Sequence, residues 1–102
     1  VNNRAYKYDR ASTMPKNCVV TGANRGIGLG LVKELLKNSE VGEVFATTRH
    51  LSKSPELRAI KDSRLIVVEM DVENDESIRK AAQKIGKWVG SEGIDFLINN
   101  AG

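Results

Sequence analysis

The stretch that most limits what this chain can become is NCVVTGANRGIG, residues 17–28. Its first five residues, NCVVT, form a short β-branched apolar run of the kind found in strands buried on both faces. Ile27, Leu31, Val32, Leu35 and Leu36 then recur at helical spacing, and Asn38-Ser39 ends that helix. Only a tight turn, with glycine at 22, 26 and 28, separates strand from helix. A strand that feeds a helix in this way calls for a parallel sheet, because the helix must carry the chain back before the next strand can start.

The same unit recurs downstream. EVFATT (43–48) reads as a second strand. A short helix opens at Ser54-Pro55-Glu56, with Ser at the N-cap, Pro at the first helical position and Glu at the positive end of the dipole. RLIVVEM (64–70) gives a third strand. Asn74 caps a helix from Asp75 to about Gly90, whose inner face is expected to carry Ile78, Ala81, Ala82, Ile85, Trp88 and Val89. IDFLI (94–98) completes the set. With right-handed crossovers these elements predict an α/β fold, a Rossmann-type parallel sheet of order 3-2-1-4 with helices on both faces. The fourth strand falls at an edge, and FLI is apolar and uncharged, poor material for an open edge.

Charge bears on the choice of partner. The formal net charge is +3, and Arg4, Lys7, Arg10 and Lys16 against Asp9 account for all of it. The rest of the chain then balances its acids and bases, so the domain has no basic stripe for nucleic acid. Residues 1–15 are expected to be a disordered polar leader, and 16–102 the dinucleotide-binding half of a domain. A single cysteine, Cys18, allows no intrachain disulfide and favours a reducing, cytoplasmic setting. No apolar run is long enough to span a membrane, and no metal-ligand cluster stands out.

The turn itself carries the first chemistry. Gly22 lets the chain leave the strand sharply, Gly26 lets backbone approach a phosphate, and Gly28 permits close packing of helix and sheet. Free N–H groups at the helix start then make an anion site. A plain tight turn would also use glycine, and the spacing differs from G-x-G-x-x-G. The end of strand two discriminates further. An NAD-preferring site offers a carboxylate there for the ribose 2′-hydroxyl, whereas this chain has Thr47-Thr48-Arg49-His50. Arg49 can fork onto a 2′-phosphate, and Arg25 sits within the glycine turn. Each charge-assisted contact contributes roughly 1.5–3 kcal/mol, which favours NADP, with NADPH ahead of NADH. His50 reads as loop. Asp71-Val72 after strand three can take an adenine amino group and its ring, and Asn99 in NNAG can tie neighbouring strands. Alone, each of these last two is only a turn.

Together, TGANRGIG, the basic end of strand two, DV and NNAG resemble the short-chain dehydrogenase/reductase family over about residues 16–102. T-G-x-x-x-G-x-G and N-N-A-G are both characteristic of that family. The run from Thr21 to His50 most resembles its C-factor-like carbonyl reductase branch. The resemblance implies that Gly22, Asn24, Arg25, Gly26, Ile27 and Gly28 line the phosphates, that Asp71 and Val72 hold adenine, and that Asn99, Ala101 and Gly102 face the riboses. It also implies an oxidoreductase that moves hydride between nicotinamide and a carbonyl or alcohol carbon. A small carbonyl substrate and homo-oligomerisation belong to a full-length form.

The same resemblance points to a departure. The family's chemistry uses a tyrosine, a lysine four residues later and a serine, all beyond the NNAG turn. The tyrosines here are Tyr6 and Tyr8, followed four residues on by Arg10 and Ser12. No catalytic residue is therefore assigned, and the chain by itself is expected to be inactive, the N-terminal cofactor-binding half of a larger enzyme. A different class of function stays open: a short nucleotide-binding or interaction protein that docks through the bare edge of strand four. A methyltransferase-like site is weaker, since it too favours a carboxylate where Arg49 stands.

Overall fold

The structure is a computed structural model and describes residues 16–100. Strands β1 (Lys16–Val20), β2 (Val41–Thr48), β3 (Leu65–Glu69) and β4 (Phe96–Ile98) pair in parallel in the order β3-β2-β1-β4. Helix α1 (Gly26–Leu36) joins β1 to β2, α2 (Pro55–Arg58) lies between β2 and β3, and α3 (Asp75–Val89) leads to β4. The parallel order expected from the strand–helix alternation is the observed one. The leader assigned to residues 1–15 lies outside the described residues.

Successive side chains of a strand point to opposite faces, and that parity sorts the core. Cys18, Val20, Val44 and Ala46 meet Leu29 and Val32 of α1 and Leu57 of α2 on one face. Val19, Phe45 and Val68 meet Ala81, Ile85 and Val89 of α3 on the other. Burial pushes the Cys18 thiol up, and the Asp95 carboxylate adds to the shift.

Three local expectations change. Ile27 is 76% exposed, and Leu29 is buried instead. Two residues along a helix are about 200° apart, so only one of the pair can face the sheet. On α3, Ala81, Ile85 and Val89 form the buried row, while Ile78, Ala82 and Trp88 are exposed. The apolar arc of the helix is wider than the sheet beneath it. Ala82 looks over a groove towards Leu97, and Trp88 stands among Lys80, Lys84 and Lys87. Asn74 does cap α3, accepting from the Ser77 N–H at 3.0 Å. Ser54, by contrast, precedes Pro55 without a side-chain cap bond. Its hydroxyl is drawn inward, 2.8 Å from Thr48 Oγ1 and 2.8 Å from the His50 carbonyl, to which it donates.

Two polar residues fasten the end of the sheet opposite the glycine turn. The β1–β2 register slips between Lys16 and Cys18, and the buried side chain of Asn17 fills the gap. Its Oδ1 accepts from the Glu43 N–H at 3.1 Å, and its Nδ2 donates to the Gly93 carbonyl at 3.1 Å. Arg64 caps the C-terminus of α1, donating to the carbonyls of Leu36, Asn38 and Val41. Asp62 steadies it at 3.1 Å, and hydrogen bonds from Arg64 hold that carboxyl below the usual carboxylate range. The stabilisation is therefore present at neutral pH and lost as acid protonates Asp62.

Candidate functional site: the cleft at the turn end of the sheet

Gly22 and Gly26 both adopt positive φ, 62° and 59°, which carries the chain off β1 and into α1 within five residues. The turn is bolted down on two sides. The Ala23 N–H donates to the Thr47 carbonyl of β2 at 2.9 Å. From the segment just after β4, the Asn100 N–H donates to Thr21 Oγ1 at 2.9 Å and its Nδ2 to the Gly22 carbonyl at 3.0 Å. The buried Thr21 hydroxyl reaches Asn99 Oδ1 at 3.2 Å.

The glycines differ in what surrounds them. A Cβ at Gly28 would lie 2.3 Å from the Gly22 carbonyl oxygen and 2.6 Å from Asn100 Nδ2. Close packing does require Gly28, then, but against the turn and the end of β4. A Cβ at Gly26 would meet nothing within 4 Å, because that residue faces open space. Arg25 occupies the N-cap of α1 without a side-chain cap bond, and no acidic residue sits in the first turn. The amides that open α1 are thus presented without a competing side-chain acceptor.

In front of them lies a cleft of about 540 Å³, bounded by Gly22, Asn24, Arg25, Gly26, Arg49 and Asp71 among others. Val72 also lines it, whereas Ile27 and Gly28 do not. Asn99 accepts from the Thr21 hydroxyl but does not itself line the cleft, and Ala101 and Gly102 lie outside the described residues, as do Tyr6 and Tyr8. Four lining residues were not picked out from sequence: His50, Met70, Glu73 and Asn100. Met70 and Glu73 flank Asp71-Val72, so adjacency was a usable signal for them. For Asn100 the only signal was the second Asn of NNAG.

Charge in the cleft is more balanced than the two arginines alone suggest. Arg25 and Arg49 are matched by Asp71 and Glu73. Arg49 Nε stands 3.6 Å from Asp71 Oδ2. Such a partly exposed pair contributes little to stability. Among the described residues no cluster of His, Cys, Asp and Glu could hold a metal ion, and no helix is long and apolar enough to cross a membrane.

Comparison with known proteins places this geometry. The family model described as short chain dehydrogenase matches residues 16–102. The chain is 40% identical over 93 residues to an uncharacterized oxidoreductase of Schizosaccharomyces pombe, covering 89% of this chain and 36% of that protein. It is 34% identical to mouse estradiol 17-beta-dehydrogenase 2, over 85% of this chain and 23% of that one. Among solved structures it is similar to Sniffer of Caenorhabditis elegans, with 49% identity, a TM-score of 0.84, and coverage of 87% of this chain and 38% of that one. An NADPH-bound carbonyl reductase from chicken fatty liver matches at 41% identity and a TM-score of 0.80, over 87% and 35%. The chain thus spans little more than a third of the length of these curated relatives from Schizosaccharomyces pombe. A strand–turn–helix with T-G-x-x-x-G-x-G spacing, a 3-2-1-4 parallel sheet and a cleft at its turn end agree with these matches, and the chain belongs to the short chain dehydrogenase family.

Proposed function

We propose that this chain is the cofactor-binding portion of an NADP(H)-dependent oxidoreductase that reduces carbonyls or oxidises alcohols. The observation that carries the reading is the cleft lined together by the open start of α1, Arg25 and Arg49. The residues present fit a dinucleotide. Gly22, Asn24, Gly26, Ile27 and Gly28 form or support the backbone cradle for the pyrophosphate, whose charge the helix dipole favours. Asp71 and Val72 border the adenine place, with Arg25 and Arg49 at a 2′-phosphate. Asn99, Ala101 and Gly102 belong to the ribose side. Bound nicotinamide would supply the hydride chemistry. The protein's part here is to bind and orient, and no catalytic residue is assigned within the chain. A cytoplasmic setting and a small carbonyl substrate for the whole enzyme belong to the same proposal.

The similarity to an NADPH-bound carbonyl reductase, 41% identical, supports the choice of phosphate-bearing cofactor. Titration calorimetry tests it: NADPH should bind roughly tenfold more tightly than NADH, as one charge-assisted contact predicts. Arg49→Asp should flatten or reverse that preference. Equal affinities in the unmodified protein would remove the NADP assignment.

A second reading rests on a separate observation. Phe96 and Leu97 of β4 are 55% and 66% exposed, so an interaction protein could dock along that edge. A defined dimer on size-exclusion chromatography, with no affinity for either nucleotide, would favour it.

A further inference from the structure

The contact between Arg49 and Asp71 has a built geometry on the carboxylate side. The Asp71 backbone N–H donates to Ser77 Oγ at 2.8 Å. Its Oδ1 accepts from the Glu73 N–H at 3.0 Å, and its carbonyl from the Asn74 N–H at 3.0 Å. With Oδ1 engaged in the turn, Oδ2 is the oxygen that meets Arg49 Nε at 3.6 Å. On the other wall, the Thr48–Ser54–His50 hydroxyl chain fixes the backbone on both sides of Arg49. Both backbones are held, while the Arg49 side chain, 62% exposed, has room to turn.

We propose that Asp71 is a specificity-determining residue that opposes phosphate at Arg49. The inference rests on the dinucleotide reading above and deepens it. Asp71 Oδ2 meets the Arg49 guanidinium at 3.6 Å within the cleft lining. A ligand with a phosphomonoester there must draw Arg49 away from Asp71. That phosphate carries a charge near −2, so it outcompetes a carboxylate for the guanidinium. Asp71 stays behind as a neighbouring anion and repels the newcomer. A nucleotide without that phosphate leaves the pair in place and meets neither cost. Asp71 thereby lowers the preference that Arg49 creates, and keeps it from becoming absolute.

The probes that isolate this effect are 2′,5′-ADP and 5′-AMP, which share adenine and differ at the 2′ position. Asp71→Asn keeps an oxygen for the Glu73 N–H and removes the charge. By titration on the full chain it should raise the ratio of 2′,5′-ADP to 5′-AMP affinity roughly three- to tenfold, as loss of one close like-charge contact predicts, because any change at the adenine side is common to both probes. Asp71→Glu should keep the unmodified ratio. In an Arg49→Gln background the same replacement should give less than about half of the gain, because the two residues act on each other. Asp71→Ser, whose hydroxyl can still accept from Glu73, serves where Asn disturbs the turn. An equal change for both probes, which leaves their ratio as it was, overturns the inference and leaves the dinucleotide reading standing. Failure of the unmodified protein to bind either probe overturns that reading, and the inference with it.

Discussion

Around Thr21 and Gly22, the turn after β1 is joined to β2 and to the segment after β4 by hydrogen bonds of 2.9 and 3.0 Å. On the β4 flank, Leu97 stands 66% exposed beside an apolar groove formed with Ile85 and Val89, and its strand neighbour Phe96 is 55% exposed. The first region takes its shape from directional bonds and from a glycine with no space for a side chain. The second has apolar surface and few constraints. Directional bonds fix a geometry that a ligand can recognise, whereas exposed apolar area gains most by being covered and specifies little until it is. The two regions share β1, yet they should respond to substitution very differently.

The largest expected effect lies in the first region. Gly28→Ala would press a Cβ against the Gly22 carbonyl oxygen and Asn100 Nδ2, at 2.3 and 2.6 Å. The Gly22 carbonyl is backbone and cannot step aside cheaply, so the loss should reach about 3 kcal/mol in urea unfolding, with nucleotide binding abolished. Gly26→Ala is the control: there is free space, and only the positive φ of 59° is strained, at about 1–2 kcal/mol. Similar losses for the two would mean that the interlock between turn and β4 contributes nothing.

A smaller effect, of opposite sign, comes from Thr47. Its hydroxyl is buried with no hydrogen-bond partner among the described residues. It is the exception in a region where polar groups are otherwise joined. Thr47→Val keeps the shape, removes the unpaired group and leaves the backbone carbonyl that receives Ala23 untouched. Stability should rise by about 0.5–1 kcal/mol, with cofactor affinity unchanged. A loss of stability would mean that the hydroxyl has a partner in solution.

How far the sequence anticipates these regions depends on the distance over which each is built. Strand order and the two-faced core follow from local patterns, the alternation of Cys18, Val19 and Val20 and the turn at Gly22. That Gly22, Gly26, Arg49 and Asp71 line one cleft is legible for the same reason, since each occupies a fixed place shortly after a strand. Asn100 was not, although it lines the cleft and ties the turn, because its partners lie 78 and 79 residues away. In NNAG nothing local says which asparagine faces the turn. Asn17 and Arg64 were hidden likewise, their bonds crossing 26 to 76 residues and 23 to 28 residues. Ser54 looked like a helix cap because Ser-Pro-Glu is a local signature, but the buried Thr48 hydroxyl offered a better partner. The width of the buried stripe on α3 depends on how far the sheet extends under it, which no helical period encodes.

The smallest effect on stability should come from the flank, and its smallness is the informative part. Leu97→Lys replaces a side chain that is 66% exposed and already borders solvent along the groove. Surface exchanges of this kind stay within about 0.5 kcal/mol, so the melting temperature should move by no more than about 4 °C. The charge should matter elsewhere. An edge strand with an outward lysine is a poor template for another chain, so concentration-dependent association on size-exclusion chromatography should fall while NADPH affinity holds. A Leu97→Lys protein that unfolds as readily as Gly28→Ala would mean that β4 is packed as firmly as the turn, and the contrast between the two regions would disappear. A variant that keeps its stability and loses only association would place the need for a covering surface at β4 and the specification of shape at Gly22 and Gly28.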